Sequence, residues 1–150
     1  MRIALYQPDI AGNVGTILRT AACFGIAVDI IEPCGFAFAE RALKRAGMDY
    51  AAMADVKRHA DWLSYQQASN ADGRLVLLTT AGARPLPAFT FQRGDRLLFG
   101  SESAGVPPDV HAAADARVTI PLRDGFRSLN VAVAAGIAMA EALRQIEGFA

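Results

Sequence analysis

Three short segments carry residue types suited to holding a polar ligand. The first runs from Gly12 through Asn13 and Gly15 to Arg19. It reads as a helix start, where unpaired backbone N–H groups and the positive dipole end suit a phosphate. The same residues also fit a simple Asn13 cap with Arg19 in solvent. The second segment runs through Gly100, the carboxylate of Glu102 and Gly105 to Pro107, which reads as a helix start by its fixed φ. Its two glycines let the backbone turn tightly against a flat ligand, and Glu102 can accept hydrogen bonds; a plain strand–turn–helix connection fits as well. The third runs from Ile120, Pro121 and Leu122 to Ser128, Leu129 and Asn130. Ser128 can cap the helix that follows. Asn130, read as lying in the first turn, stabilises a helix poorly there, which points to another use.

Elements must exist to bring these segments together. Apolar runs at residues 3–6, 27–31, 75–79, 97–100 and 118–120 are short and bounded by Gly, Pro or charged residues. They read as buried strands of a sheet covered on both faces. Helical spacing appears at 14–24, 39–46, 60–68 and 129–146. The alternation predicts an α/β fold, a mostly parallel sheet with helices on both faces. Residues 80–96, broken by Gly82, Pro85, Pro87 and Gly94, read as a loop-rich connection. Parallel sheets bind ligands beyond the carboxyl ends of their strands. Glycine and small polar residues gather there after four of the strands, including Thr79-Thr80-Ala81-Gly82 after the third.

Composition narrows the class. A chain of 150 residues, 53% hydrophobic and 20% charged, suits one domain over 1–150 with a full core. No apolar run approaches the roughly 20 residues of a membrane span, and the N-terminus does not read as a signal peptide. Cys23 and Cys34 have no metal-ligand neighbours and read as core thiols in a reducing cytosol. His59 and His111 are too few and isolated to build a metal site with them. Fifteen basic residues balance fifteen acidic ones, which argues against a general nucleic-acid coater but not against a local patch. Between 41 and 59, Arg41, Lys44, Arg45, Lys57 and Arg58 outnumber Asp49 and Asp55, as a solvated helix face or an RNA-facing patch. Neither a dinucleotide fingerprint nor a Gly-x-Ser-x-Gly elbow occurs. Met48, Met53 and Met139 read as core. Ala132, Gly136 and Ala140 make a stripe of small residues on the last helix, a packing face within the chain or across a dimer.

In order, Asn13-x-Gly15-x-x-x-Arg19 with Phe24-Gly25, residues 98–107, and Ile120-Pro121-Leu122 with Ser128-Leu129-Asn130-Val131 resemble the three motifs of the SPOUT RNA 2′-O-methyltransferases. Ile31-Glu32-Pro33-x-Gly35-Phe36 and residues 43–50 are similar to the tRNA (cytidine(34)-2′-O)-methyltransferase branch. The resemblance implies a C-terminal trefoil knot, S-adenosylmethionine as methyl donor with no metal, a tRNA anticodon stem-loop as substrate, and a homodimer. It implies cofactor contacts at Leu78, Thr79, Gly100, Glu102, Gly105, Ile120, Leu122, Ser128, Leu129 and Asn130. It assigns catalytic roles to Asn13, Ser128, Asn130 and Arg19, the last supplied by the other subunit. A guanidinium stays protonated in proteins, so Arg19 is read as holding a phosphate and stabilising charge on the oxygen.

Two positions depart from that branch. Ala104 stands where a basic residue is common, and Ala132-Val133 where Ser-Asn is common. The run from Ser128 to Ala135 also resembles relatives acting on other tRNA or rRNA riboses. A non-catalytic RNA-binding or ribosome-assembly module is the alternative from another class.

Overall fold

Apolar runs of four or five residues form the centre of the sheet because both of their faces can be buried. In the computed structural model, which describes residues 1–37, 54–68, 73–81, 84–146 and 149, the chain runs in this order: β1 (Arg2–Tyr6), α1 (Ala11–Cys23), β2 (Ala27–Ile31), β3 (Val56–His59), α2 (Trp62–Ala68), β4 (Leu75–Leu78), β5 (Arg84–Pro85), a 3₁₀ turn (Leu86–Ala88), β6 (Arg96–Phe99), α3 (Pro108–Ala113), β7 (Ala116–Thr119) and α4 (Val131–Gln145). Among the described residues seven strands form one sheet, ordered β3-β2-β1-β6-β4-β7-β5. Every ladder between named strands is parallel.

Alternation along the central strands separates two cores. Ile3, Leu5, Leu97 and Phe99 face α1 and α4, against Val14, Ile17, Leu18, Ala135, Ala138 and Met139. Ala4, Leu98 and Leu77 face the other way, against Tyr65 of α2 and Val110 of α3. Successive strand residues point to opposite faces, so one run feeds both layers. Helix α1 ends in a Schellman arrangement: Ile26 N donates to Ala21 O at 2.8 Å and Gly25 N to Ala22 O at 3.2 Å, with Gly25 at φ 65°.

Several readings change. Val56–His59 is an edge strand, so Lys57 and Arg58 lie on a sheet rather than on a helix face. Their polarity hid the strand, which is tolerated at an edge where Lys57 and Arg58 reach solvent. Arg58 pairs with Glu32, its Nε donating at 2.6 Å. The buried end of this strand, His59, meets Asp29 Oδ1 at 2.8 Å, and Arg2 Nε donates to Asp29 Oδ2 at 2.7 Å. The connection at 80–96 contains β5 and the 3₁₀ turn. Cys23 is exposed rather than core, because it closes α1 on the side away from the sheet; Cys34 is half-buried. Met139 is core. The expected helix at 39–46, the motif at 43–50, Met48, Met53, Gly82 and the charges of Arg41, Lys44, Arg45 and Asp49 lie outside the described residues.

Candidate functional site

Strand order decides where a site can form. β1 connects to β2 on one side, while β6 lies on its other side. Such a reversal leaves a crevice beyond the carboxyl ends of the strands, unblocked by a crossing helix. The segments after β1, β4, β6 and β7 converge there around a cavity of about 660 Å³. That is within the range of small-molecule sites.

All the cofactor contacts expected from the sequence line this one cavity: Leu78, Thr79, Gly100, Glu102, Gly105, Ile120, Leu122, Ser128, Leu129 and Asn130. Asn13 joins them. Arg19 does not; it is exposed, six residues further along α1.

The loop after β6 is shaped by its glycines. Ser101 and Gly105 exchange backbone hydrogen bonds, each at 2.9 Å, drawing the loop closed. A Cβ on Gly100 would stand 2.5 Å from the Gly105 carbonyl carbon, and Gly105 itself sits at φ 67°. Only glycine at position 100 lets the two backbone strands approach this closely. The result is a tight backbone cradle at the cavity mouth.

Glu102 fastens this cradle to the start of α1. Asp9 N donates to Glu102 Oε2 at 2.8 Å, and Asn13 Nδ2 donates to Oε1 at 2.9 Å. Asp9 answers in the opposite sense, accepting from Ser103 N at 2.9 Å and Ser103 Oγ at 2.6 Å. These two donors, the hydroxyl first, hold the Asp9 carboxyl below the ordinary aspartate range. Glu102 thus braces two loops, with both oxygens already engaged by the chain. Gly35 completes the packing. Its N–H donates to Pro8 O at 2.9 Å, and a Cβ there would meet the Asp9 Cα at 2.9 Å.

Helix boundaries revise the roles of two asparagines. Helix α1 begins at Ala11 behind Ile10, so Asn13 is not its cap and its side chain is spent on Glu102. Asn130 is the cap of α4, ahead of the first turn rather than in it: its Oδ1 accepts from Ala132 N at 2.8 Å and Val133 N at 3.4 Å. Ser128 therefore does not cap, and is left beside the cavity. The amide of Asn130 also donates to Asn13 Oδ1 at 3.0 Å. One chain of hydrogen bonds thus runs from Asn130 through Asn13 to Glu102.

The cavity wall is apolar where β7 leaves the sheet. Ile120 lines it, and Leu122 and Leu129 stay 36% and 37% exposed at its edge. Leucines left this open beside backbone polar groups suit a flat, partly apolar ligand. Sequence reasoning missed Ile10, His111 and Arg127, which also line the cavity. His111 was set aside because no neighbour in sequence accompanied it; α3 brings it in. Asp9 and Ser103 were legible only as small polar residues after strands. Among the described residues no group of three His, Cys, Asp or Glu is placed to hold a metal ion. No helix there is long and apolar enough to cross a membrane.

On α4 the stripe divides. Ala132 is buried, whereas Gly136 and Ala140 are half-exposed and Gly136 has open space beside it. Val133 and Ile137, next to them, are exposed.

The sequence profile of the SpoU rRNA Methylase family matches residues 1–140. A tRNA (cytidine(34)-2′-O)-methyltransferase of Ancylobacter novellus is 50% identical over 151 residues, covering 100% of this chain and 96% of that protein. A solved structure concerned with the 2-OH methylation of C/U34 on tRNA superimposes with a TM-score of 0.92 at 39% identity, covering 98% of this chain and 96% of the other. An AdoMet-bound rRNA methyltransferase from Sinorhizobium meliloti superimposes with a TM-score of 0.85 at 29% identity, covering 95% of this chain and 55% of the other.

Proposed function

The chain belongs to the SpoU rRNA methylase family, and on that premise we propose that it methylates the ribose 2′-hydroxyl of nucleotide 34 in tRNA. The observation that carries the reading is the convergence of three distant motifs on one cavity, tied by the Asn130–Asn13–Glu102 chain of hydrogen bonds. Its relatives at about half identity act at the same nucleotide by name. The domain, in this reading, is the whole of residues 1–150, with a trefoil knot in its C-terminal portion.

The cavity fits S-adenosylmethionine. Leu78, Ile120, Leu122 and Leu129 supply the apolar surface for an adenine ring. Backbone groups around Thr79, Gly100, Gly105 and Ser128 supply the polar contacts for the ribose and the amino-acid tail. When bound, the cofactor supplies an activated methyl group on sulfur. The chain's own work is to hold the acceptor ribose in line and to exclude water. Asn13 and Asn130 keep the mouth of the cavity in one geometry, and Glu102 braces the loop that closes it. Ser128, free of capping duty beside the cavity, is the hydroxyl that this reading assigns to the ribose.

Arg19 lies outside the cavity of its own subunit, so this reading has it delivered by a second copy. The half-exposed Gly136 and Ala140, with Val133 and Ile137, offer the homodimer contact. A guanidinium keeps its proton. Arg19 therefore grips a substrate phosphate and offsets negative charge building on the oxygen.

Nucleoside mass spectrometry of tRNA tests the function. Deleting the gene removes 2′-O-methylcytidine from the wobble position, and restoring it returns the modification. An unchanged wobble profile overturns the proposal.

A further inference from the structure

Among the described residues Phe126 is the most exposed large apolar side chain, at 73%. It belongs to neither apolar cluster of the fold. A ring left in water forgoes the burial that stabilises most phenylalanines and keeps its aromatic face open to a partner. The backbone presents it deliberately. Phe126 N donates to Arg123 O at 3.3 Å, closing a turn across Asp124 and Gly125, and Gly125 sits at φ 88°, a conformation that favours glycine.

Position and charge identify the occupant. Arg127, Ser128, Leu129 and Asn130, immediately after Phe126, line the cavity. Arg123 and Arg127 flank the ring in sequence, both exposed, against the single acid Asp124. The turn is therefore locally cationic in a chain of zero net charge. An exposed aromatic ring with an exposed arginine on either side of it in sequence matches an unpaired base and its neighbouring phosphates. Single-stranded loops are recognised in this way, their bases stacked on aromatic side chains.

We propose that Phe126 stacks on a base next to the nucleotide whose ribose enters the cavity, while Arg123 and Arg127 hold the adjoining phosphates. The inference rests on the RNA methyltransferase reading above and adds a residue that selects an unpaired loop. A duplex offers no free base face at that point, so stem substrates are disfavoured.

The test is a double-mutant cycle by fluorescence anisotropy. It uses labelled anticodon stem-loop RNA, intact or with an abasic nucleotide on either side of the target, against wild type, Phe126→Ala and Phe126→Trp. Phe126→Ala is expected to weaken binding of intact RNA by roughly tenfold, in line with alanine substitution at stacking sites. One abasic RNA loses a similar factor with wild type and nothing further with Phe126→Ala, while Phe126→Trp keeps wild-type affinity. Calorimetric affinity for S-adenosylmethionine stays the same throughout. Equal abasic penalties in wild type and Phe126→Ala, with methyl transfer intact, overturn the role of Phe126 alone. A changed oligomeric state of Phe126→Ala by light scattering also overturns it, since the ring would then be buried against a second copy. Failure of wild type to methylate the stem-loop overturns the underlying reading as well.

Discussion

Asn130 Nδ2 donates to Asn13 Oδ1 at 3.0 Å, joining the first turn of α1 to the cap of α4 across 117 residues of chain. Asn130 does two jobs with one side chain, since its Oδ1 also caps α4. Asn13 likewise spends its amide on Glu102. The site's rigidity therefore depends on two helix starts and one loop holding one another.

Substitution can separate the two jobs of Asn130. Asn130→Ala removes the cap and is expected to cost about 0.5–2 kcal/mol of stability, read as a lower Tm. Asn130→Asp keeps a capping acceptor but loses the donor to Asn13. Its Tm should stay near wild type while methyl transfer falls by roughly tenfold, the worth of one hydrogen bond of about 1.4 kcal/mol. Equal activity in Asn130→Asp and wild type would show the link to be idle.

The two glycines of the β6 loop should respond differently. Gly100→Ala places a Cβ 2.5 Å from the Gly105 carbonyl carbon, a backbone atom that cannot swing aside. A cost of about 1–3 kcal/mol and a large loss of cofactor affinity are expected. Gly105→Ala meets nothing within 4 Å and bears only the strain of φ 67°, about 1–2 kcal/mol. Calorimetry and thermal melts on both variants give the order; a milder Gly100→Ala contradicts the cradle.

Asp9 sets an acid limit on the same loop. Its carboxyl is held below the ordinary value of 3.8 by the Ser103 hydroxyl and amide. A group depressed on folding contributes stability above its unfolded pKa and loses it as pH falls through the folded value. The Asp9–Ser103 contact is thus fully present near neutrality and disappears only below about 3.8. Carboxyl NMR titration should show Asp9 moving up towards 3.8 in Ser103→Ala. No movement would mean that the Ser103 hydroxyl does not hold it.

Arg19 offers the sharpest probe of the mechanism. Arg19→Lys keeps the charge but loses the planar fork that grips a phosphate. Turnover should drop by about tenfold or more, with cofactor affinity unchanged because this reading assigns Arg19 to the substrate phosphate and not to the cofactor. Mixing Arg19→Ala with a variant crippled in its own cavity, such as Gly100→Ala, should restore part of the activity if the arginine comes from a second copy. Full turnover in Arg19→Lys with an unchanged pH profile overturns the assigned role.

Much of this protein could be read along the chain, for physical reasons that are local. Buried parallel strands need continuous apolar runs, and the five runs that were visible are the five strands β1, β2, β4, β6 and β7. Gly100 and Gly105 announced a tight turn because backbone geometry demands it. Val56–His59 escaped notice since an edge strand bears charge on its open side, and its buried histidine is satisfied by Asp29 on a neighbouring strand. The helix starts were misjudged by a few residues, which hid that Asn130 is a cap and Asn13 is not.

Only the tertiary structure decided how these pieces act together. Glu102 is 93 residues from Asp9 and 89 from Asn13, and no periodicity links positions so far apart. Strand order brought them into contact, by placing β6 beside β1 and leaving the crevice between their ends open. Residue types and turn chemistry are properties of neighbours in sequence, and the chain states them outright. Which carboxylate meets which amide depends on packing across the whole sheet, where hundreds of weak contacts, none written locally, choose one arrangement.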